Sequence, residues 1–201
     1  PASGNMAAGI RERMISFVAE FLRVPLDEAV ALRAAGLPSY ATTLEWLKAR
    51  HGLADEGEYF RAVHPESEIA ELEPDPKLRG YLLSLGLPLT LLTNAPIEHA
   101  RRLLGFFDIE DVFLGVFDLT FHNGRGKPHP ESFLNTLAAV GKTVEETLFV
   151  DDLPKYARGY RALGGRAVLV DQKGQYAEIA EAEGYGRIES IYGLAAWLEN
   201  H

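Results

Sequence analysis

The pattern of apolar positions changes part-way along the chain. Over residues 7–71 it is helical. Ile10, Met14, Phe17, Val18 and Phe21 fall three and four apart and make one stripe. Pro25 ends that helix. A second helix is predicted over residues 26–35, stopped by Gly36 and Pro38. A third covers residues 42–50, with Leu44 and Leu47 inward and Gly52 past its end, and a short fourth covers residues 55–63. No convincing strand appears in this half, which reads as a small helical bundle. The stretch Glu71-Leu72-Glu73-Pro74-Asp75-Pro76 is stiff and polar, so the boundary falls there. Residues 1–73 are predicted to form a helical domain and residues 74–201 a second domain.

Beyond the linker, helical patterns alternate with short apolar runs. Leu78, Leu82 and Leu85 line a helix, and residues 88–93 read as a strand covered on both faces. Ile97, Ala100, Leu103 and Leu104 mark a helix, and residues 112–117 a second apolar run. Phe133, Leu134, Leu137 and Ala138 mark a helix closed by Gly141. Then come a strand at 147–150, a helix at 156–163, a strand at 166–170, and a final helix carrying Ile191, Leu194 and Leu198. Strands separated by helices imply crossovers and a parallel sheet, an α/β fold.

Composition narrows the function. An apolar fraction of 47% over 201 residues is ample for a buried core. Lys plus Arg total 20 against 29 Asp plus Glu, a net charge of −9. Such a chain is repelled by nucleic acid and by anionic membranes unless it carries a basic stripe. The nearest candidate, Arg125, Lys127 and His129, is too small. Cysteine is absent, which excludes disulfides, thiolate catalysis and Cys-ligated zinc and fits a reducing cytoplasm. No apolar run approaches the roughly 20 residues that span a bilayer. The six histidines lack zinc-ligand spacing, and neither a nucleophile elbow nor a Walker loop is present.

In a parallel sheet, ligands sit beyond the carboxyl ends of the strands. Thr93-Asn94 follows one predicted strand and Asp151-Asp152 another. Between them runs the loop Gly124-Arg125-Gly126-Lys127-Pro128-His129-Pro130. Thr93-Asn94 is either a plain turn or a hydroxyl with nearby amides for an anionic oxygen. Lys127 is either a solvated lysine or an ammonium aimed at a phosphoryl oxygen by a shaped loop. Asp151-Asp152 is either a helix cap or a metal site. Two adjacent carboxylates in a poorly solvated cleft repel, and a hard divalent cation such as Mg²⁺ removes that repulsion.

In combination these segments resemble a known family. Leu91-Leu92-Thr93-Asn94, Gly126-Lys127-Pro128-x-Pro130 and Phe149-Val150-Asp151-Asp152-x-Pro154 resemble, in order, motifs two, three and four of the haloacid dehalogenase (HAD)-like hydrolases. The match runs over about residues 74–171. The helical half is similar to the cap of the pyrimidine 5′-nucleotidase-like branch, whose Tyr-Gly-Thr-Thr-Leu segment matches Tyr40-Ala41-Thr42-Thr43-Leu44 with Ala for Gly. The resemblance implies a HAD-like Rossmannoid parallel sheet core with a small helical-bundle cap. It implies a Mg²⁺-dependent phosphomonoesterase of the cytoplasm, monomeric or homodimeric, acting on a small phosphorylated metabolite. A pyrimidine nucleoside 5′-monophosphate is one such substrate. On that pattern Thr93 holds the phosphoryl group with Asn94 beside it, and Lys127 binds phosphate and steadies the nucleophile. Asp151, with Asp152, binds Mg²⁺. Tyr40, Thr42 and Thr43 face the substrate from the cap. Tyr156 is a local departure, standing where many relatives carry Asn.

The family's first motif, an apolar strand ending Asp-x-Asp-x-Thr, has no counterpart in this sequence. Its first Asp is the nucleophile that becomes an aspartyl phosphate, and its second is the general acid/base. Pro1-Ala2-Ser3 is similar to the residues directly after that motif in the family. The resemblance sets the missing strand in mid-sheet, between the Thr93 and Asp151 strands. The expectation is a sheet with a one-strand gap, its neighbours ~9–10 Å apart. It extends to a native protein about 10–15 residues longer at its N-terminus. Without that Asp the chain is expected to be inactive. The alternatives are a non-catalytic phosphate- or Mg²⁺-binding protein, or another HAD class such as a phosphomutase or dehalogenase.

Overall fold

The computed structural model describes residues 4–201; Pro1, Ala2 and Ser3, which the resemblance sets directly after its missing strand, lie outside the described residues. The helical half contains α1 (Gly4–Leu22), α2 (Leu26–Gly36), α3 (Thr43–His51) and α4 (Glu56–Val63), with a 3-10 segment at Glu66–Glu71. Local chemistry sets the ends. The Thr42 side chain accepts the Glu45 amide at 3.0 Å and caps α3, while Gly52, at φ 73°, closes it. Asp55 caps α4 by accepting the Gly57 amide at 2.8 Å. Val18, Ala29, Leu47 and Val63 are wholly buried between these helices. Leu119, from the sheet half, packs into the same cluster.

The sheet half runs α5 (Leu78–Ser84), β1 (Leu89–Leu92), α6 (Ile97–Phe106), β2 (Phe113–Phe117) and α7 (Pro130–Ala139). It continues with β3 (Leu148–Asp151), α8 (Pro154–Arg161), β4 (Arg166–Val170), α9 (Ala177–Glu183), β5 (Gly186–Ile188) and α10 (Leu194–Glu199). Every strand pairing is parallel. Two elements, α9 and β5, are additions to what periodicity predicted.

The sheet is in two pieces. β1 pairs with β2, and β3 with β4 and then β5; among the described residues no ladder joins β1 to β3. The facing edges of β1 and β3 therefore have no strand partner. Burial follows the same division. In β4, paired on both sides, Val168 and Leu169 are 0% exposed. All four residues of β1 and of β3 are only half-buried. The expectation that residues 88–93 are covered on both faces is corrected to that extent: an edge without a neighbour leaves a strand's side chains without flanking ones.

Candidate active site

The carboxyl ends of β1 and β3 bring the predicted clusters together. Thr93 extends the ladder, its amide donating to the Phe117 carbonyl at 2.9 Å. Its hydroxyl oxygen accepts the Ala95 amide at 3.0 Å, which leaves the hydroxyl hydrogen free to point elsewhere. Asp118, buried just after β2, accepts the Ile97 amide at 3.2 Å and the Phe121 amide at 2.9 Å. It thereby anchors the first turn of α6, whose own cap position is Pro96.

Asn94 fixes the lysine loop. Its Nδ2 donates to the Lys127 carbonyl at 2.8 Å, and its Oδ1 accepts the Lys127 amide at 2.7 Å. Nδ2 also reaches the Tyr156 hydroxyl at 3.1 Å. The Asn94 amide is thus engaged in holding Lys127. Two close approaches keep the loop in place. A Cβ at Gly126 would lie 2.8 Å from Asn94 Cγ, and one at Gly159 would lie 2.9 Å from the Pro128 carbonyl oxygen.

Lys127 is buried, 8% exposed, and its Nζ donates to Asp151 Oδ2 at 2.6 Å. The ammonium also lies 4.9 Å from the Tyr156 ring centroid and 5.5 Å from that of Phe149. Asp151 Oδ1 accepts the Leu153 amide at 3.0 Å. Protein packed round Asp152 and the neighbouring Asp151 charge hold the Asp152 carboxyl above the usual carboxylate range, although its side chain reaches solvent. Burial and the two aspartates push the Tyr156 hydroxyl up to about 12, so it stays neutral. Adjacent carboxylate oxygens whose repulsion Lys127 relieves only in part are a donor set that fits a hard divalent cation.

The haloacid dehalogenase-like hydrolase family model matches residues 6–164. The chain belongs to the haloacid dehalogenase-like hydrolases. Among curated relatives, this hydrolase is 35% identical over 118 residues to Phosphatase MT3486 of Mycobacterium tuberculosis, covering 57% of this chain and 49% of that one. It is 40% identical over 88 residues to the phosphoserine phosphatase of Thermus thermophilus, covering 43% of this chain and 35% of that one. The matches thus span about half of the first relative's length and a third of the second's. Among solved structures, the L-2-haloacid dehalogenase of Xanthobacter autotrophicus superposes with a TM-score of 0.60 at 18% identity, covering 99% of this chain and 88% of that one. A HAD phosphatase of Thermococcus onnurineus gives 0.57 at 19% identity, covering 90% and 93%. At these identities the structural likeness concerns the fold, the α/β HAD fold that the motifs implied.

The helical half of the hydrolase touches the site through bonds that sequence spacing does not reveal. His129, on the lysine loop, lies 3.0 Å from Glu45 Oε1. Glu45 Oε2 accepts the Ala41 amide at 2.7 Å. Lys155 Nζ donates to the Ala41 carbonyl at 2.7 Å. Of the three predicted cap residues, Thr42 is engaged as the α3 cap, and Tyr40 packs against the helical core. Thr43 is buried, its hydroxyl accepting from Arg33 Nε at 2.9 Å.

A second polar cluster sits on the other side of the seam. Glu68 is 0% exposed, and its Oε1 accepts from His99 Nδ1 at 2.7 Å and from Arg102 at 2.5 Å. His64 Nδ1 lies 3.4 Å from Oε2, and Arg13 lies 3.8 Å from it. Ligand atoms of His64, Glu68 and His99 fall within 4.8 Å of one another, a spacing a metal could use. Two arginines already meet that carboxylate, so an added dication would face two cations, and the cluster is better described as an ion-pair network. Burial alone would raise the Glu68 pKa, but the bonds from His64, His99 and Arg102 hold it far below the usual range. Burial pulls His64 down. Among the described residues no helix is long and apolar enough to cross a membrane.

Proposed function

We propose that this hydrolase is a Mg²⁺-dependent phosphomonoesterase acting on a small phosphorylated metabolite. The observation that carries this reading is the buried Lys127–Asp151 pair at 2.6 Å, beside a second carboxylate and with the lysine's backbone held by Asn94, the residue after Thr93. Phosphoryl transfer needs positive charge at the phosphoryl oxygens and rigid positioning more than it needs covalent chemistry from most of the site. The Lys127 ammonium would neutralise one oxygen, and the Thr93 hydroxyl would donate to another. Asn94 is a positioning residue that keeps Lys127 aimed. Asp151 and Asp152 would hold Mg²⁺, which would supply charge stabilisation at the phosphoryl group. The cap would exclude water while the ester bond breaks.

In this reading the nucleophile is an aspartate on a strand seated between β1 and β3. The unpaired facing edges of those two strands and their half-buried side chains support that place for it. The phosphatase names of two curated relatives support the reaction class. The test is hydrolysis of p-nitrophenyl phosphate, with Mg²⁺ and with EDTA, by a chain that carries this strand. Turnover that needs Mg²⁺ and falls at least ~100-fold in Lys127→Ala is the expected result. Ligand-induced stabilisation without turnover would replace it with the non-catalytic alternative.

A further inference from the structure

Two cations at the seam form no salt bridge among the described residues. Among the described residues, salt bridges pair most of the buried or half-buried charges: Arg13 and Arg102 with Glu68, Lys127 with Asp151, and His129 with Glu45. Arg33 and Lys155, both half-buried, appear in none. Arg33, on α2, donates its Nε to the Thr43 hydroxyl at 2.9 Å, and among the described residues its terminal nitrogens have no hydrogen-bond partner. Lys155, on α8, donates to the Ala41 carbonyl at 2.7 Å. Ala41 and Thr43 are alternate residues of the stretch leading into α3, so one short segment gathers both cations.

The place is next to the candidate active site. Lys155 Nζ lies 5.0 Å from the centroid of the Tyr156 ring, the same ring that lies 4.9 Å from Lys127 Nζ. The protein anions that act on Lys155 are Asp151, which Lys127 already holds, and Glu45. The Glu45 carboxylate is already held by His129 and by the Ala41 amide. Desolvation pulls the pKa of each cation down, and Arg33 lowers that of Lys155 further. Asp151 and Glu45 act on Lys155 in the opposite sense, but neither forms a salt bridge with it among the described residues. A guanidinium fork with its terminal nitrogens free matches a carboxylate in shape as well as charge.

We propose that Arg33 and Lys155 form a second anion subsite that receives a substrate carboxylate, so that the hydrolase selects short phosphomonoesters bearing a carboxylate over those with a neutral remainder. This rests on the phosphomonoesterase reading, because the phosphate must sit at Lys127 for the second group to reach the seam. It assigns a substrate class and sets nucleoside monophosphates, whose remainder is neutral, outside it.

Calorimetric titration of the full chain with inorganic phosphate, ethyl phosphate, uridine 5′-monophosphate and phosphoglycolate tests it. Phosphoglycolate is expected to bind tighter than ethyl phosphate by about 10- to 100-fold, the range of a charged hydrogen-bonded pair. That ratio is expected to fall towards one in Lys155→Met and in Arg33→Gln, each checked for folding by its melting temperature. Equal wild-type affinities for phosphoglycolate and ethyl phosphate overturn the subsite. So does uridine 5′-monophosphate binding more tightly than phosphoglycolate, or an unchanged ratio in both folded variants. The wild-type ratio decides alone if a variant does not fold. No binding of inorganic phosphate would instead bring down the phosphomonoesterase reading, and the subsite with it.

Discussion

Two charged assemblies flank the seam between the helical and sheet halves, and they treat charge in opposite ways. Around Glu68 every formal charge has a partner: Arg13, Arg102, His64 and His99 converge on one carboxylate that no solvent reaches. Around Lys127 charge is left unmatched. Asp151 is paired with Lys127, but among the described residues Asp152, Arg33 and Lys155 form no salt bridge, and Asp152 stands against the like charge of Asp151 with Lys127 offsetting it only in part. This network joins α1, the Glu66–Glu71 segment and α6, although Arg13 Nη2, Glu71 Oε2 and Arg102 Nε are buried in it without a hydrogen-bond partner. Unmet charges of both signs in a half-buried place cost stability, and a fold retains them where a ligand completes them.

The largest test of this contrast is Glu68→Gln. It leaves Arg102 without a carboxylate and Arg13 with Glu71 alone, and is expected to cost about 3–5 kcal/mol. Thermal unfolding should read this as a fall of roughly 6–20 °C in Tm. A fall of a degree or two would mean that the Glu68 charge does not hold these groups together. Next in size, Lys127→Met should weaken inorganic phosphate binding by about 10- to 100-fold. The same substitution frees Asp151 Oδ2, so Mg²⁺ should bind this variant more tightly than the wild type, which calorimetry would measure.

Acid probes the same distinction. His64 has a folded pKa below its ordinary value, so beneath about 6.5 the unfolded chain takes up a proton that the folded one resists. Glu68 has a depressed folded pKa as well, so its contribution is present above its unfolded value and is lost as pH falls below it. Both windows lean the same way, and urea midpoints should decline from pH 7 to pH 4. In His64→Gln the part of that decline nearest pH 6 should vanish. The smallest effect belongs to Thr42→Ala, about 1 kcal/mol for a lost helix cap. Measuring its phosphate affinity alongside its unfolding midpoint separates a cap from a substrate contact.

Where a signal is local, the chain announced it. The second helix ends within a residue of its expected bounds, because Pro25 and Gly36 punctuate it. The strand Arg166–Val170 matches at both ends. Thr93-Asn94 and Asp151-Asp152 do fall where β1 and β3 finish. By contrast β5 is three residues, Gly-Arg-Ile, with no alternation to detect; its pairing with Val168, Leu169 and Val170 makes it a strand. Histidine spacing carried no message, although His64 and His99 both reach Glu68.

The order of elements, their caps, and the residue types at each strand's carboxyl end were legible from the string of amino acids. Those features depend on neighbours within a few positions, through periodicity, φ preferences and short hydrogen bonds. Which charges meet and which stay unmet became visible with the folded chain alone. Lys155 and Ala41 are 114 residues apart, and Lys127 and Asp151 are 24. Coulomb energy and solvent exclusion depend on distance through space, and no spacing along the chain records it.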